Sequence, residues 1–248
     1  MNELMLVLLC SGLTFLATVL GSSIVYFCKN VNLKFEKACL GLASGIMIAA
    51  SFFSLIFPAI EANKIFSIVG MILGFLLIYV LKIINLKIKK ENKSLFFLAV
   101  TLHNIPEGMI VGLTCSLACS NVKYSVIGAI MLAVGIAIQN IPEGIATVFP
   151  SIREGENKHK AFFKGVISGI VEPISAFIMC FVANYISNLM PLFLCLAAGS
   201  MLYVVVDELI PESKDNGINI GSIMFSIGFI IMMMLDLFLW YNVIKNGG

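Results

Sequence analysis

Eight apolar stretches, each about 20 residues long and separated by short polar connections, limit the folds open to this chain. They fall at about 4–28, 37–60, 65–86, 94–118, 124–149, 161–184, 190–211 and 219–243. A helix of about 20 apolar residues crosses the roughly 30 Å hydrocarbon core of a bilayer. Because 60% of the residues are hydrophobic and 12% are charged, little chain is left for a soluble domain. The sequence predicts an all-α integral membrane protein whose residues 1–248 form a single polytopic domain.

The lysines and arginines are distributed unevenly between the two sides of the predicted membrane. Thirteen of the 16 follow the first, third, fifth and seventh stretches, and the other side has Lys64, Lys123 and Lys245. Basic residues concentrate in cytoplasmic connections. We therefore expect a multi-pass protein of the cell membrane with both termini outside the cytoplasm. No part of the charge pattern fits a nucleic-acid surface, so the lipid bilayer is the expected environment.

The first three and the last three stretches match one another when the chain is shifted by 154 positions. The shift pairs Gly45 with Gly199 and Thr18 with Glu172. Successive spans alternate in direction, so the first and sixth spans run oppositely and the repeat is inverted. The fourth and fifth stretches form their own pair at a shift of 36 positions. This pattern predicts a 3+2+3 arrangement, typical of secondary transporters with a midplane substrate site, although duplicated bundles also serve as scaffolds.

Two nearly identical strings, HNIPEG at 103–108 and QNIPEG at 139–144, place polar groups inside apolar stretches. A carboxylate at membrane depth is costly without a partner and usually marks a functional site. Folding the two spans antiparallel about Lys123 brings Glu107 level with Gln139 and His103 level with Glu143. Each central proline withholds an N–H from the carbonyl four residues earlier. So many oxygen ligands in one place favour a metal cation as the partner.

A third acid, Glu172, lies at the centre of the sixth stretch and is followed by Pro173. We interpret it as a further metal ligand or as the group that balances charge during ion passage. A structural role at a helix end is the alternative. The candidate metal-binding residues are therefore His103, Asn104, Glu107, Gln139, Asn140, Glu143 and Glu172.

These motifs resemble those of the ZIP (Zrt/Irt-like) family of divalent metal transporters, in its prokaryotic branch. The strings at 103–108 and 139–144 are similar to the family's fourth-helix and fifth-helix signatures, and Val171-Glu172-Pro173 is similar to its sixth-helix motif. Many members have a histidine where this chain has Gln139. Many eukaryotic members also have a histidine-rich connection between the third and fourth spans, which is short and lysine-rich here.

The resemblance implies a binuclear site at the membrane midplane, bridged by Glu107 and Glu143. One ion would also bind His103 and Gln139; the ligands of the other would include Asn104, Asn140 and Glu172. It further implies alternating access, with spans one, four, five and six moving against the others, uptake into the cytoplasm and a homodimer. The oxygen-rich ligand set suits Zn²⁺ as the transported substrate and also admits Mn²⁺, Fe²⁺, Co²⁺ and Cd²⁺.

Two other functions remain open from the residues alone. An intramembrane zinc-dependent hydrolase would also place a histidine and acids on membrane helices, but such sites usually need two or three histidines. An ion channel lined by acids is the second alternative. Slow, saturable uptake would distinguish a carrier from both. We favour the carrier, and so expect neither enzymatic activity nor a cofactor.

Overall fold

Helices make up nearly all of the described chain, which comprises residues 2–27, 32–88, 95–120, 125–153, 155–214 and 219–246 of the computed structural model. They are α1 (Glu3–Ser22), α2 (Ile24–Phe27), α3 (Leu33–Ala50), α4 (Phe57–Ala62), α5 (Lys64–Ile88), α6 (Leu95–Ser120), α7 (Val126–Arg153), α8 (Lys158–Ile186), α9 (Met190–Val204), α10 (Ile210–Ser213) and α11 (Ile220–Asn246). Two π-helical segments, Ser51–Ile56 and Val205–Leu209, join α3 to α4 and α9 to α10.

The predicted spans agree with these helices. Seven helical segments of the described chain are long and apolar enough to cross a bilayer. The eighth predicted span, 94–118, coincides with α6, a helix of 26 residues. Several side chains of α6, including that of His103, lie outside the described residues. The prediction of an all-α, multi-pass membrane protein is therefore confirmed.

Asparagine side chains fix the starts of four of the membrane helices. A side-chain oxygen at the start of a helix satisfies one of the backbone N–H groups that lack a partner within the helix. The pairs are Asn32 with the N–H of Lys34, Asn63 with Phe66, Asn157 with His159 and Asn219 with Ser222. These caps begin α3, α5, α8 and α11 where the polar connections meet the apolar stretches.

Three prolines of the predicted site lie inside helices that continue through them. Pro106 is in α6, Pro142 in α7 and Pro173 in α8. A proline inside a membrane helix is tolerated where neighbouring helices and side chains satisfy the freed backbone groups. The prolines therefore modify these helices locally and do not divide them.

The membrane helices pack closely within two groups. In the first group, α1 packs against α7 and α8, and α6 packs against α8; in the second, α3 packs against α11 and α5 against α9. A Cβ added at Gly45 would lie 2.0 Å from the carbonyl oxygen of Phe225, and one at Gly74 would lie 2.3 Å from that of Leu196. Only glycine allows two helix backbones to approach so closely.

Among the described glycines, every such backbone approach between helices stays within one of the two groups. Across the boundary, Gly135 of α7 instead faces the side-chain methyl group of Met232 on α11. The α1–α6–α7–α8 group and the α3–α5–α9–α11 group therefore meet through side chains at this point.

Candidate functional site

Six of the seven predicted site residues have described side chains, and all six are buried between α6, α7 and α8. Their exposed fractions are 0% for Asn104, Asn140, Glu143 and Glu172 and 1% for Glu107 and Gln139. The charges of Glu107, Glu143 and Glu172 are close enough to interact. The structure thus places these six residues in one solvent-excluded polar cluster in the middle of apolar helices.

Close backbone packing produces this cluster. A Cβ at Gly108 of α6 would lie 2.2 Å from the carbonyl oxygen of Glu172, and one at Gly144 of α7 would lie 2.3 Å from that of Thr18. The two motif glycines therefore allow α8 and α1 to pack against α6 and α7. This close approach brings the polar side chains one helical turn from each glycine into contact with the facing helices.

The first contact of the cluster joins Glu107 and Gln139. The side-chain nitrogen of Gln139 donates a hydrogen bond to Glu107 Oε1. The prediction that antiparallel folding of the fourth and fifth spans brings these two residues level is therefore confirmed. The corresponding prediction for His103 and Glu143 falls on a side chain outside the described residues.

The two asparagines also use their amide nitrogens within the protein. Asn140 Nδ2 lies 2.9 Å from each carboxylate oxygen of Glu172 and 3.2 Å from the backbone oxygen of Thr14. Asn104 Nδ2 lies 3.1 Å from the backbone oxygen of Ser168 and 3.3 Å from its hydroxyl oxygen. Carbonyl and carboxylate oxygens only accept hydrogen bonds. The nitrogen of each amide must therefore face these partners, which fixes the orientation of the side chain.

The same orientation leaves three amide oxygens without donors. Asn104 Oδ1, Gln139 Oε1 and Asn140 Oδ1 are buried and have no hydrogen-bond partner among the described residues. Leaving a buried acceptor unsatisfied costs about 1–3 kcal/mol, so three of them cost roughly 3–9 kcal/mol. Three buried amide oxygens beside three acids form an environment that a cation would stabilise.

The acids alone do not complete a metal site. Among the described side chains, no group of three or more His, Cys, Asp and Glu residues is arranged to hold a metal. The amide oxygens would therefore have to supply part of the coordination. His103, on the same helix as Glu107, is outside the side chains covered by that statement.

Two cavities lie in series beside the cluster. The larger, of about 680 Å³, is bordered by Glu61, Asp236 and Ser54 together with aromatic and aliphatic side chains. The smaller, of about 10 Å³, reaches Glu107 and Gln139. Ser54 and Leu132 line both cavities. Apolar side chains, including Ile136 and Met201, make up most of the lining of the smaller cavity.

Asp236 of α11 has a hydrogen-bond partner on a distant part of the chain. The hydroxyl of Ser54 donates to Asp236 Oδ1 at 2.6 Å. These residues are 182 positions apart, so no local pattern could have paired them. The only available signal was that both are polar groups within apolar stretches.

Two groups of ion pairs also escaped sequence reasoning. Glu36, 1% exposed, pairs with Arg153 at 3.3 Å, and the same guanidinium lies 3.6 Å from Glu212. Lys82 of α5 donates to Asp207 and lies 3.3 Å from Glu208, both in the second π-helical segment.

The fold and the cluster define a class: a multi-pass helical membrane protein with a buried group of acids and amides on adjacent helices. Residues 92–236 match the model of a family described as "ZIP Zinc transporter". The chain is 31% identical to the zinc transporter ZIPB of Bordetella bronchiseptica over 249 aligned residues, covering 90% of this chain and 77% of that protein. It is also 31% identical to the zinc transporter GufA of Myxococcus xanthus, covering 89% of this chain and 94% of the relative. The chain belongs to the ZIP family.

A shorter match extends to animals. The chain is 38% identical to the zinc transporter ZIP11 of Homo sapiens over 144 residues, which is 58% of this chain and 42% of the human protein. The family and these relatives are transporters, so the chain is not an enzyme. The hydrolase alternative has no support from them.

Proposed function

We propose that this protein carries divalent metal cations, principally Zn²⁺, through the membrane by way of the buried cluster on α6, α7 and α8. The observation that carries the proposal is the set of three buried amide oxygens without donors. Buried polar atoms in folded proteins are rarely left without a hydrogen-bond partner. A divalent cation would satisfy them and would also offset the mutual repulsion of the neighbouring acids. The zinc transporters among the relatives supply the choice of ion.

The proposed coordination is binuclear. Glu107 and Glu143 bridge two ions, His103 and Gln139 complete one position, and the ligands of the other are Asn104, Asn140 and Glu172. Contact between Gln139 and Glu107, and between Asn140 and Glu172, supports this division. Oxygen ligands with one imidazole suit Zn²⁺ and also admit Mn²⁺, Fe²⁺, Co²⁺ and Cd²⁺.

We further propose the 3+2+3 arrangement with inverted repeats. Pairs of equivalent contacts, related by the two sequence shifts, support this arrangement. Asn104 donates to the backbone oxygen of Ser168, and Asn140 donates to that of Thr14; the asparagines are related by the shift of 36 and their partners by the shift of 154. The two π-helical segments begin at Ser51 and Val205, which the same shift of 154 relates.

Alternating access between the two helix groups is the proposed mechanism. The α1–α6–α7–α8 group carries the site, and its helices approach each other backbone to backbone at glycines. The α3–α5–α9–α11 group is tied together in the same way, and the described glycines make no such approach across the boundary. A boundary formed by side chains can shift more readily than one formed by interlocked backbones. The cavity bordered by Glu61, Asp236 and Ser54 would admit the ion, and the apolar constriction beyond it would close that side.

The orientation and assembly are part of the same proposal. We place both termini outside the cytoplasm because basic residues concentrate in the opposite connections, so that the ion moves inward. Residues 1–248 act as one transport domain in the cell membrane, and the family resemblance implies a homodimer.

Uptake of labelled zinc into vesicles containing the purified protein tests the proposal. Replacing Glu107→Ala should abolish saturable uptake, because it removes a bridging carboxylate and the acceptor of Gln139. Ser226→Ala is the matched control, since the hydroxyl of Ser226 bonds only to a backbone oxygen of its own helix, away from the cluster. Unchanged zinc uptake by the Glu107 variant would contradict the proposal.

A further inference from the structure

We propose that Thr18, which lies outside the predicted ligand set, is a positioning residue for Glu172. Together with Asn140 it orients the Glu172 carboxylate, whose remaining lone pairs can bind the second ion while these hydrogen bonds persist. The inference rests on the proposed function, because Thr18 has this role only if Glu172 binds an ion.

The hydrogen bonds of Glu172 account for both of its carboxylate oxygens. Thr18 Oγ1 lies 3.2 Å from Oε1 and 3.3 Å from the backbone oxygen of Thr14, the two acceptors within reach of its proton. Asn140 Nδ2 lies 2.9 Å from Oε1 and from Oε2. Glu172 and Thr18 are each 0% exposed, so water does not compete for these bonds. The carboxylate is therefore already solvated by protein donors before any ion arrives.

The position of Thr18 follows from the repeat. Thr18 and Glu172 are 154 positions apart, the same offset that relates the first and last three spans. Two residues related by a two-fold axis touch each other when both lie near that axis. One repeat therefore supplies a carboxylate at this point and the other supplies the hydroxyl that binds it.

The backbones that carry the two side chains are held in place. A Cβ at Gly144 would lie 2.3 Å from the carbonyl oxygen of Thr18, and a Cβ at Gly108 would lie 2.2 Å from that of Glu172. Neither helix can withdraw from its neighbour without breaking these close approaches.

Asn140 keeps its hydrogen bonds in the same way. Its nitrogen faces Glu172 and Thr14, while its oxygen has no partner among the described residues. Asn140 and Glu172 can thus bind the second ion together without breaking the hydrogen bond between them.

The test uses the full-length protein and Zn²⁺ alone in calorimetric titrations, with zinc uptake into vesicles as a second measurement. Thr18→Val keeps the shape of the side chain and removes the hydroxyl. Removing the donor that orients Glu172 should weaken binding of the second zinc ion by about tenfold. In uptake, KM should rise because the ion is bound more weakly. Thr18→Ser should restore wild-type values.

Two comparisons separate positioning from a structural effect. Ser22→Ala removes another buried hydroxyl of α1 that bonds only to backbone oxygens, and it should leave zinc binding unchanged. In a Glu172→Gln background, the Thr18→Val change should have no further effect. An effect of Thr18→Val that persists there, or that Thr18→Ser does not rescue, would overturn the role of Thr18.

Failure of the proposed function gives a different result. A wild-type protein that binds no zinc would overturn the proposed function itself. Two bound zinc ions in the wild type, with Thr18→Val indistinguishable from it, would overturn only the positioning role.

Discussion

Replacing Asn104→Leu tests whether an amide of the cluster serves the ion or the fold. Asn104 is 0% exposed, its nitrogen donates to the backbone and hydroxyl oxygens of Ser168, and its oxygen has no partner. Leucine has a similar shape and no polar atoms. The substitution therefore removes two hydrogen bonds and one unsatisfied acceptor at the same time.

These two effects nearly cancel in the metal-free protein. Two hydrogen bonds contribute about 1–3 kcal/mol together, and removing one buried unsatisfied acceptor regains about 1–3 kcal/mol. The free energy of unfolding without zinc should therefore change by less than about 1 kcal/mol. Zinc at 100 times its Kd stabilises a protein by about 2.7 kcal/mol, and a tenfold weaker Kd leaves about 1.4 kcal/mol. The substitution should thus halve the stabilisation by zinc.

Equilibrium unfolding in lipid–detergent micelles, with and without Zn²⁺, measures both quantities. Ser168→Ala is the matched control: it removes one partner of Asn104 and leaves the amide oxygen in place. Suppose instead that Asn104→Leu lowers the free energy of unfolding without zinc by about 3 kcal/mol or more, which is three times the expected limit, and leaves the zinc-dependent stabilisation unchanged. The amide would then be a structural group, and the reasoning from unsatisfied oxygens would be refuted.

The remaining predictions concern charged groups outside the cluster. Arg153→Gln should lower the free energy of unfolding by about 2 kcal/mol, because it leaves the buried Glu36 without its cation. Adding Glu36→Gln should restore most of the loss. A double variant less stable than Arg153→Gln would contradict this. Asp236→Asn should raise KM for zinc uptake about threefold or more at little change in kcat, because it removes negative charge from the large cavity. A lower kcat at unchanged KM would instead assign Asp236 to a later step.

The predictable parts of this molecule are those that a local pattern encodes. Hydropathy located the eight spans because a bilayer requires about 20 apolar residues in a row. The meeting of Glu107 with Gln139 followed from one short connection and two matching strings, since an antiparallel pair has a single natural register. Gly108 and Gly144 belong to the same strings, and only glycine leaves the space for the helix contacts found there.

Contacts between distant spans could not be predicted in this way. Ser54 and Asp236 are 182 positions apart, and Glu36 meets Arg153 across two different helix groups. Sequence identifies such residues as costly inside a membrane but cannot choose among their partners. The orientation of the Asn140 amide, with its nitrogen toward Glu172, depends on the same long-range packing. It was therefore visible only in the structure.

The two π-helical segments have a mechanical consequence for the helices that contain them. Each has wider turns than an α-helix and so accommodates one extra residue within a membrane-crossing helix. Were the segment at Val205–Leu209 to tighten, the helix beyond it would swivel by about 100°. Asp207 and Glu208 would then turn away from Lys82 and face another neighbour. A helix with a π-helical segment can therefore change the direction of its acidic side chains without unfolding in the lipid.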